Sequence, residues 1–309
     1  MNIFGKNKKS VKRRLRNTLL YGIMLALPGI FKTGAFADHA GGKAGPRAEW
    51  TPGSYEIHLM LDSDLVLDED HLLKREMLET FDADDSYKAF SLAYFETPGR
   101  DFFKEGWINR IRLKYEEDDE NDFKLTYKKR YPVPEDDRAS ALRLAEKDGF
   151  DLSGETWESQ IEWGYTGMTL SLSANTKLRA GTEKTIADLE PREAYVMMLE
   201  NMPVEERDWK SEGWGSDTFA SAEPAGPIFF KRYEGAFSGR EIRIEVWTIH
   251  DERDDTIRYL SELSFVAEEY EEAAAGRAEM IDQLMSLGIL LKENSLKTQQ
   301  MLDAYLVGP

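Results

Sequence analysis

Runs in which apolar and polar residues alternate one by one recur along most of this chain, and a period of two belongs to β-strands with one buried face. They predict strands at Tyr55–Leu61, Lys88–Glu96, Trp107–Tyr115, Phe123–Tyr131, Gln160–Tyr165, Met168–Asn175, Ile228–Phe237, Glu241–Ile249 and Tyr259–Ala267. Helical spacing predicts helices at His71–Thr80, Glu135–Lys147, Pro191–Asn201, Glu268–Leu287 and Ser295–Leu306. Many strands with a helical ending make the chain α+β. Residues 203–227, with Trp209, Gly213, Trp214, Gly215, Pro224, Gly226 and Pro227, read as a long loop, an excursion rather than a lid. The run Glu116–Glu120 between two strands lacks the spacing and glycine of a calcium loop and reads as a solvated hairpin turn.

The strand faces differ in more than polarity. One parity carries Ile57, Leu59, Ile111, Leu113, Leu125 and Tyr127, then Ile242, Ile244, Val246, Leu263 and Phe265, and is expected to pack on a core or under helices. The other carries Arg110, Arg112 and Lys114, then Lys124, Lys128 and Arg130, with Arg232 and Arg243 further on. Glu56, Glu234, Glu241, Glu245 and Glu262 share that parity. Bases therefore outnumber acids on these faces of an acidic chain. A closed barrel can be apolar outside, beneath helices, and charged within. Like charges lining a lumen repel unless a counter-charged ligand sits among them, and converging Arg and Lys donors with a few carboxylates suit a metal-chelated polyphosphate. A sandwich whose charged face simply meets water is the other arrangement compatible with the pattern.

Charge and composition narrow the setting. The chain has 309 residues and a formal charge of −18. Residues 1–37 hold eight Lys or Arg and no acid, then an apolar stretch from Thr18 to Phe31 and the small-residue pattern Ala35-Phe36-Ala37. That order reads as a signal peptide and predicts export, to a periplasmic or secreted location. Its roughly 14 apolar residues span about 21 Å, short of a bilayer core, so no stable membrane span is expected after cleavage. Residues 38–53 read as a flexible lead-in, and 54–309 as one domain whose formal charge is strongly negative and repels nucleic acid. There is no cysteine, which excludes disulfides, thiolate metal sites and a cysteine nucleophile.

At the charged strands the chain resembles the CYTH superfamily, the triphosphate tunnel metalloenzymes. Tyr94-Phe95-Glu96-Thr97-Pro98, then Gly106, Arg110-Ile111-Arg112 and Leu125-Thr126-Tyr127-Lys128, resemble in order and spacing that family's YFDTP-like, LRIR-like and LTLK-like segments. Lys231-Arg232, Ile242-Arg243-Ile244-Glu245-Val246 and Ser261-Glu262-Leu263-Ser264-Phe265 resemble its carboxyl-terminal half. The resemblance covers roughly 55–290 and implies a closed tunnel that hydrolyses, or in cyclase members cyclises, triphosphate compounds with Mg²⁺ or Mn²⁺. By motif position it implies that Arg110, Arg112, Lys128, Arg232 and Arg243 grip phosphate. Glu56, Glu245 and Glu262 would hold the metal ion, with Glu158 or Glu162 as further carboxylates, and His58, which replaces a family acid, could substitute as a ligand for a softer cation such as Mn²⁺ or Zn²⁺. Glu56, Glu262 and Lys128 would be the catalytic set. The chain departs from the family's opening Glu-x-Glu-x-Lys, which here reads Glu56-Ile57-His58-Leu59-Met60, and Ser264 stands where the late acidic pair has its second member.

Two functions follow as expectations. One is metal-dependent hydrolysis of a triphosphate or polyphosphate, in which bases neutralise phosphate oxygens and a carboxylate-held ion orients water. The other is a catalytically degenerate protein that binds such anions without turnover, as the changes at His58, Met60 and Ser264 suggest. A lone strand histidine is more often a packing or hydrogen-bonding residue than a ligand, and His39, His71 and His250 form no ligand spacing with it. No phosphate-cradling loop, zincin helix or nucleophile elbow is present. Trp157, Trp163, Trp209, Trp214 and Trp247 are expected mainly in packing, and the final amphipathic helices as cover for the fold.

Overall fold

The strand parity read from the sequence is what bends the sheet into a tube. The computed structural model describes residues 52–115, 122–152, 156–180, 185–251, 253–294 and 297–306. The proposed signal segment, most of the lead-in and the acidic run Glu116–Glu120 lie outside them.

In chain order the strands are β1 (Tyr55–Leu61), β2 (Lys88–Glu96), β3 (Trp107–Tyr115), β4 (Asp122–Val133), β5 (Glu158–Trp163), β6 (Met168–Arg179), β7 (Glu223–Phe237), β8 (Arg240–Asp251) and β9 (Thr256–Ala267). They close into a barrel in the order β1-β5-β6-β4-β3-β2-β7-β8-β9. Every pair is antiparallel except β1 with β5, which runs parallel through Tyr55 opposite Ile161 and Glu56 opposite Glu162. That short parallel seam closes the tube. Closure removes the water-facing sandwich from consideration, and the fold is the α+β closed barrel with covering helices and a helical C-terminus expected from the sequence.

The outward parity forms the main core. Ile57, Leu59, Ile111, Leu113, Leu125 and Leu263 are all fully buried in one apolar cluster. Each such side chain contributes about 1.5–3 kcal/mol relative to exposure. The cover comes from helices α1 (Ser63–Val66), α2 (Arg75–Thr80), α3 (Asp101–Lys104), α4 (Arg138–Lys147), α5 (Pro191–Glu200), α6 (Val204–Arg207), α7 (Trp214–Phe219) and α8 (Tyr270–Ser286). Asp137 caps α4 by accepting a bond from the Ser140 amide at 3.0 Å. Gly276 lets α8 lie on β9, because a Cβ there would meet the Phe265 ring at 2.8 Å. Trp107, Phe150, Trp157 and Trp209 pack together outside the barrel, with Phe150 and Trp157 centroids 4.8 Å apart. Trp163 stacks on Tyr270 and Trp214 meets Phe102, so of the five tryptophans singled out only Trp247 faces the lumen.

Several element boundaries differ from the sequence pattern. The segment 203–227 is not a loop: it forms α6, α7 and the start of β7, and covers the outside of β2 and β3 through Phe219 against Phe95 and Phe102. Glycine and proline density concealed helices whose residues are fixed by tertiary contacts. The helix expected from Glu135 begins at Arg138, because Glu135 and Asp136 take positive φ. The helix expected from His71 begins at Arg75, since His71 has positive φ and Leu73 bridges back to Leu67.

The last part of the chain enters the barrel. Gly288, at φ +71, ends α8, and its successor returns along β1, where the Leu291 amide donates to the Met60 carbonyl at 2.9 Å. Helix α9 (Lys297–Tyr305) then closes one end of the tube. Its Met301, Leu302 and Ala304 pack on inward-facing Met60, Leu92, Ile228, Phe230, Trp247 and Leu260 in a second apolar cluster, distinct from the outer core. Met60, at the position where the family resemblance expects a lysine, belongs to this apolar end.

No helix among the described residues is long and apolar enough to cross a membrane. On the outer face Glu206 is fully buried, with the Asn109 side chain as its hydrogen-bonding neighbour and no cation beside it among the described residues. Burial, with Glu96 nearby, pushes its pKa up to about 8. Between the ordinary 4.5 and 8 the unfolded chain therefore releases a proton that the folded chain keeps, so stability falls as pH rises through that window. Glu206→Gln should remove this component. Its melting temperature relative to the parent should be higher at pH 8 than at pH 5 by about 2 °C or more, measured by thermal unfolding at the two pH values.

Candidate functional site

Inward side chains of the barrel enclose a cavity of about 490 Å³ whose walls carry eight Lys or Arg against five Glu. The charge balance of the molecule is thus reversed inside it. Every site residue expected from the sequence lines this cavity: Glu56 and His58 on β1, Arg110 and Arg112 on β3, Lys128 on β4, Arg232 on β7, Arg243 and Glu245 on β8, and Glu262 on β9. Glu158 and Glu162 on β5 join them. Lys114, Glu234 and Glu241 share the inward parity but do not line the cavity, and Glu234 pairs instead with exposed Lys88 at 2.5 Å. Alternation assigns a face, whereas position along the strand decides whether that face is lumen or rim.

The carboxylates form one side of the cavity, and each of four is bonded to a cation. Glu262 Oε1 accepts from Lys297 Nζ at 2.5 Å and lies 3.1 Å from His58 Nδ1. The other ring nitrogen of His58 lies 3.4 Å from Glu56 Oε2. Glu245 Oε1 accepts from Arg232 Nη2 at 2.6 Å and Nε at 2.9 Å, while its Oε2 accepts from Trp247 Nε1 at 2.9 Å and Lys297 at 3.3 Å. Glu162 joins Lys128 at 2.5 Å and Arg130 at 2.8 Å.

These contacts fix the charge states. Burial disfavours an imidazolium, but Glu56 and Glu262 outweigh it and hold the His58 pKa up at about 10. Burial would likewise raise Glu56, yet His58 and Lys128 bring it down to about 2. Glu262 and Glu245 are held below the usual carboxylate range against burial, chiefly by Lys297. The His58 ring is therefore a cation bridging two carboxylates. It donates hydrogen bonds, and has no lone pair left for a metal ion.

Strands β3 and β4, remote from β1 and β9 in the strand order, bring Arg110, Arg112 and Lys124 into the cavity, and Arg243 enters on β8 beside Glu245. Arg110, Arg112, Lys124 and Arg243 have no carboxylate within ion-pair distance among the described residues. The Arg112 and Arg232 guanidinium carbons lie 5.2 and 4.8 Å from the Phe90 ring centroid, which lets two cations approach each other over one apolar surface. Burial, then Arg110 and Arg232, lowers the Arg112 pKa to about 9. Burial, Arg112 and Arg110 lower that of Lys124 as well. Arg110 Nε is buried without an acceptor. Such a cluster is stabilised by any anion that reaches it.

The implied Mg²⁺ or Mn²⁺ does not fit the residues as they stand. Among the described residues no group of three His, Asp or Glu side chains is arranged to hold a metal ion. The oxygens of Glu245 and Glu262 that face each other are bridged by the Lys297 ammonium. Lys297 and Asn294 are the lining residues that sequence reasoning missed. They sit in a return segment and at the first turn of a helix, where no period of two marks a lumen-facing residue. Arg130 and Glu162 were legible as inward positions, but not as partners of each other.

No family model matches this chain, and no curated protein matches it. Solved structures with a similar fold include a candidate adenylyl cyclase from Hippeastrum described as having a dominant triphosphatase activity. It is 15% identical, with 82% of this chain and 96% of that chain covered and a TM-score of 0.49. A candidate adenylate cyclase from Bacillus halodurans is 13% identical over 81% of this chain and 97% of its own, with a TM-score of 0.45. A protein of Pyrococcus horikoshii is 15% identical over 79% and 98%, at 0.42. The closed nine-stranded barrel with a charged lumen is consistent with the CYTH-like architecture read from the sequence.

Because Glu262 is buried and bonded to both His58 and Lys297, neutralising it removes the shorter contact of each cation and leaves them only the longer ones, to Glu56 at 3.4 Å and Glu245 at 3.3 Å. Glu262→Gln should cost about 3–5 kcal/mol in urea unfolding. Adding Lys297→Met should recover at least about 1 kcal/mol of that loss, since the two residues act as one unit.

Proposed function

We propose that this barrel binds a triphosphate or a longer inorganic polyphosphate chain in its lumen. The observation that carries the proposal is the cluster of Arg110, Arg112, Lys124 and Arg243, converging from β3, β4 and β8 without ion-pair partners among the described residues, inside a molecule of net charge −18. Planar guanidinium groups take phosphate oxygens in pairs, and a chain of phosphates presents several anionic groups to a cluster of such cations. Arg243 is exposed and Arg112 half-buried, so the cluster runs from the solvent into the tube.

Of the two activities expected from the sequence, binding without turnover is favoured. Glu56, Glu245 and Glu262 are already engaged by His58, Arg232 and Lys297, so neither a metal ion nor a proton acceptor for water is free on that side. Lys128, expected among the catalytic groups, is paired with Glu162. Export of the chain, read from its first 37 residues, ranks inorganic polyphosphate ahead of cytosolic nucleotides as the anion to test.

Calorimetric titration with inorganic tripolyphosphate should show binding that weakens steeply with salt. Arg112→Ala and Arg243→Ala should each weaken it about tenfold, the worth of a lost charge-assisted hydrogen bond. Absence of binding, or variants that bind as the parent does, would overturn the proposal. Phosphate release measured with Mg²⁺, with Mn²⁺ and without metal should be absent. Release that is abolished by Lys128→Ala or Glu262→Ala would establish the hydrolytic reading in its place.

A further inference from the structure

The acidic side of the lumen presents three buried or half-buried glutamates that a phosphate chain would have to pass. In a metal-loaded site their charge would be answered by a divalent ion. Here a group that belongs to the chain itself stands between them. Lys297, at the first turn of α9, lies 2.5 Å from Glu262 and 3.3 Å from Glu245. It is held there from behind, because α9 is anchored by fully buried Met301, Leu302 and Ala304 and by the Arg100–Asp303 pair at 2.5 Å.

We infer that the lumen takes its polyanion without a divalent cation, the Lys297 ammonium serving as the tethered counter-ion between Glu245 and Glu262. This rests on the phosphate-binding reading above. Three further features support it. The second oxygen of Glu245 is taken by two bonds from Arg232, so this carboxylate has no free edge. His58 occupies the space between Glu262 and Glu56, touching both. The one buried carboxylate oxygen of this group without a partner is Glu262 Oε2, a single ligand where Mg²⁺ or Mn²⁺ needs about six oxygens in near-octahedral array. A divalent ion placed on that oxygen would also share its carboxylate with an ammonium and be repelled by it. A lysine on a helix is fixed by folding rather than by ion concentration, so the site would be charged for its ligand at any metal level.

The test uses the full chain. Free Mn²⁺, followed by its electron paramagnetic resonance signal, should not be taken up by the parent protein. Tripolyphosphate should bind the parent in EDTA, and excess magnesium, which itself chelates the phosphate chain, should not tighten that binding. Lys297→Met, which removes the charge and keeps the apolar stem, should begin to take up Mn²⁺, and its affinity for tripolyphosphate should become at least about tenfold weaker in EDTA than with metal. Lys297→Arg, which keeps the charge, should exclude Mn²⁺ as the parent does. Stoichiometric Mn²⁺ uptake by the parent, or loss of its tripolyphosphate binding in EDTA, would overturn the inference, and both readings need only the parent protein should Lys297→Met not fold. If the parent binds no tripolyphosphate under either condition, the function proposed above fails. The Mn²⁺ comparison between the parent and Lys297→Met then still decides whether the lysine holds the position of the ion.

Discussion

The bonds that Glu262 accepts from Lys297 and His58 tie together three parts of the molecule that are distant in sequence: β1, β9 and the C-terminal helix α9. All three groups are withdrawn from water, where an isolated charge is far too costly to keep. Their arrangement is consequently coupled. The histidine stays protonated because two carboxylates face it, and the carboxylates stay ionised because the lysine and histidine face them. The remaining charges of the lumen are organised around this cluster. Arg232 is drawn to Glu245 and Lys128 to Glu162, while Arg110, Arg112, Lys124 and Arg243 have no carboxylate within ion-pair distance among the described residues.

That division gives the tube two chemically different halves across its width and two along its length. Across the width, the strands β5, β1, β9 and β8 carry a neutralised ion-pair network, while β3 and β4 carry the half-buried cations Arg110, Arg112 and Lys124. Along the length, the polar cavity gives way to a dry end where α9 packs on Phe230, Trp247 and Leu260. The dry end does more than fill space. It fixes the helix whose first turn presents Lys297, so apolar packing at one end of the barrel sets the charge at the middle. A barrel of nine strands is wide enough to need such filling, since inward side chains alone would leave a channel along the axis.

The outer surface follows a simpler logic. Leu, Ile and aromatic residues of the outward parity are covered by short helices, and one segment rich in glycine and proline contributes two of them. Glu206 on α6 is a fully buried carboxyl group in that shell. Its neutral form is maintained by burial and by the neighbouring Glu96, which together outweigh the opposing hydrogen bond with Asn109.

Strand alternation by itself determined nine strands, with ends that differ by up to five residues, the apolar outer face and the inward placement of Glu56, His58, Arg110, Arg112, Lys128, Arg232, Arg243, Glu245 and Glu262. A period of two is a local property, since successive Cβ atoms must point to opposite faces whatever the strand pairs with. The helical segments α6 and α7 were hidden, because their few residues are held by contacts with β2 and β3 rather than by propensity. Only the tertiary structure decided which inward residues meet. The pairings of Glu262 with Lys297, of Glu245 with Arg232 and of Glu162 with Lys128 depend on strand order, on the parallel β1–β5 seam and on a return segment that carries α9 into the tube. Nothing in a linear sequence encodes which charges a closed barrel brings to one point, because that is set by closure and stagger, and these exist only once all nine strands are in place.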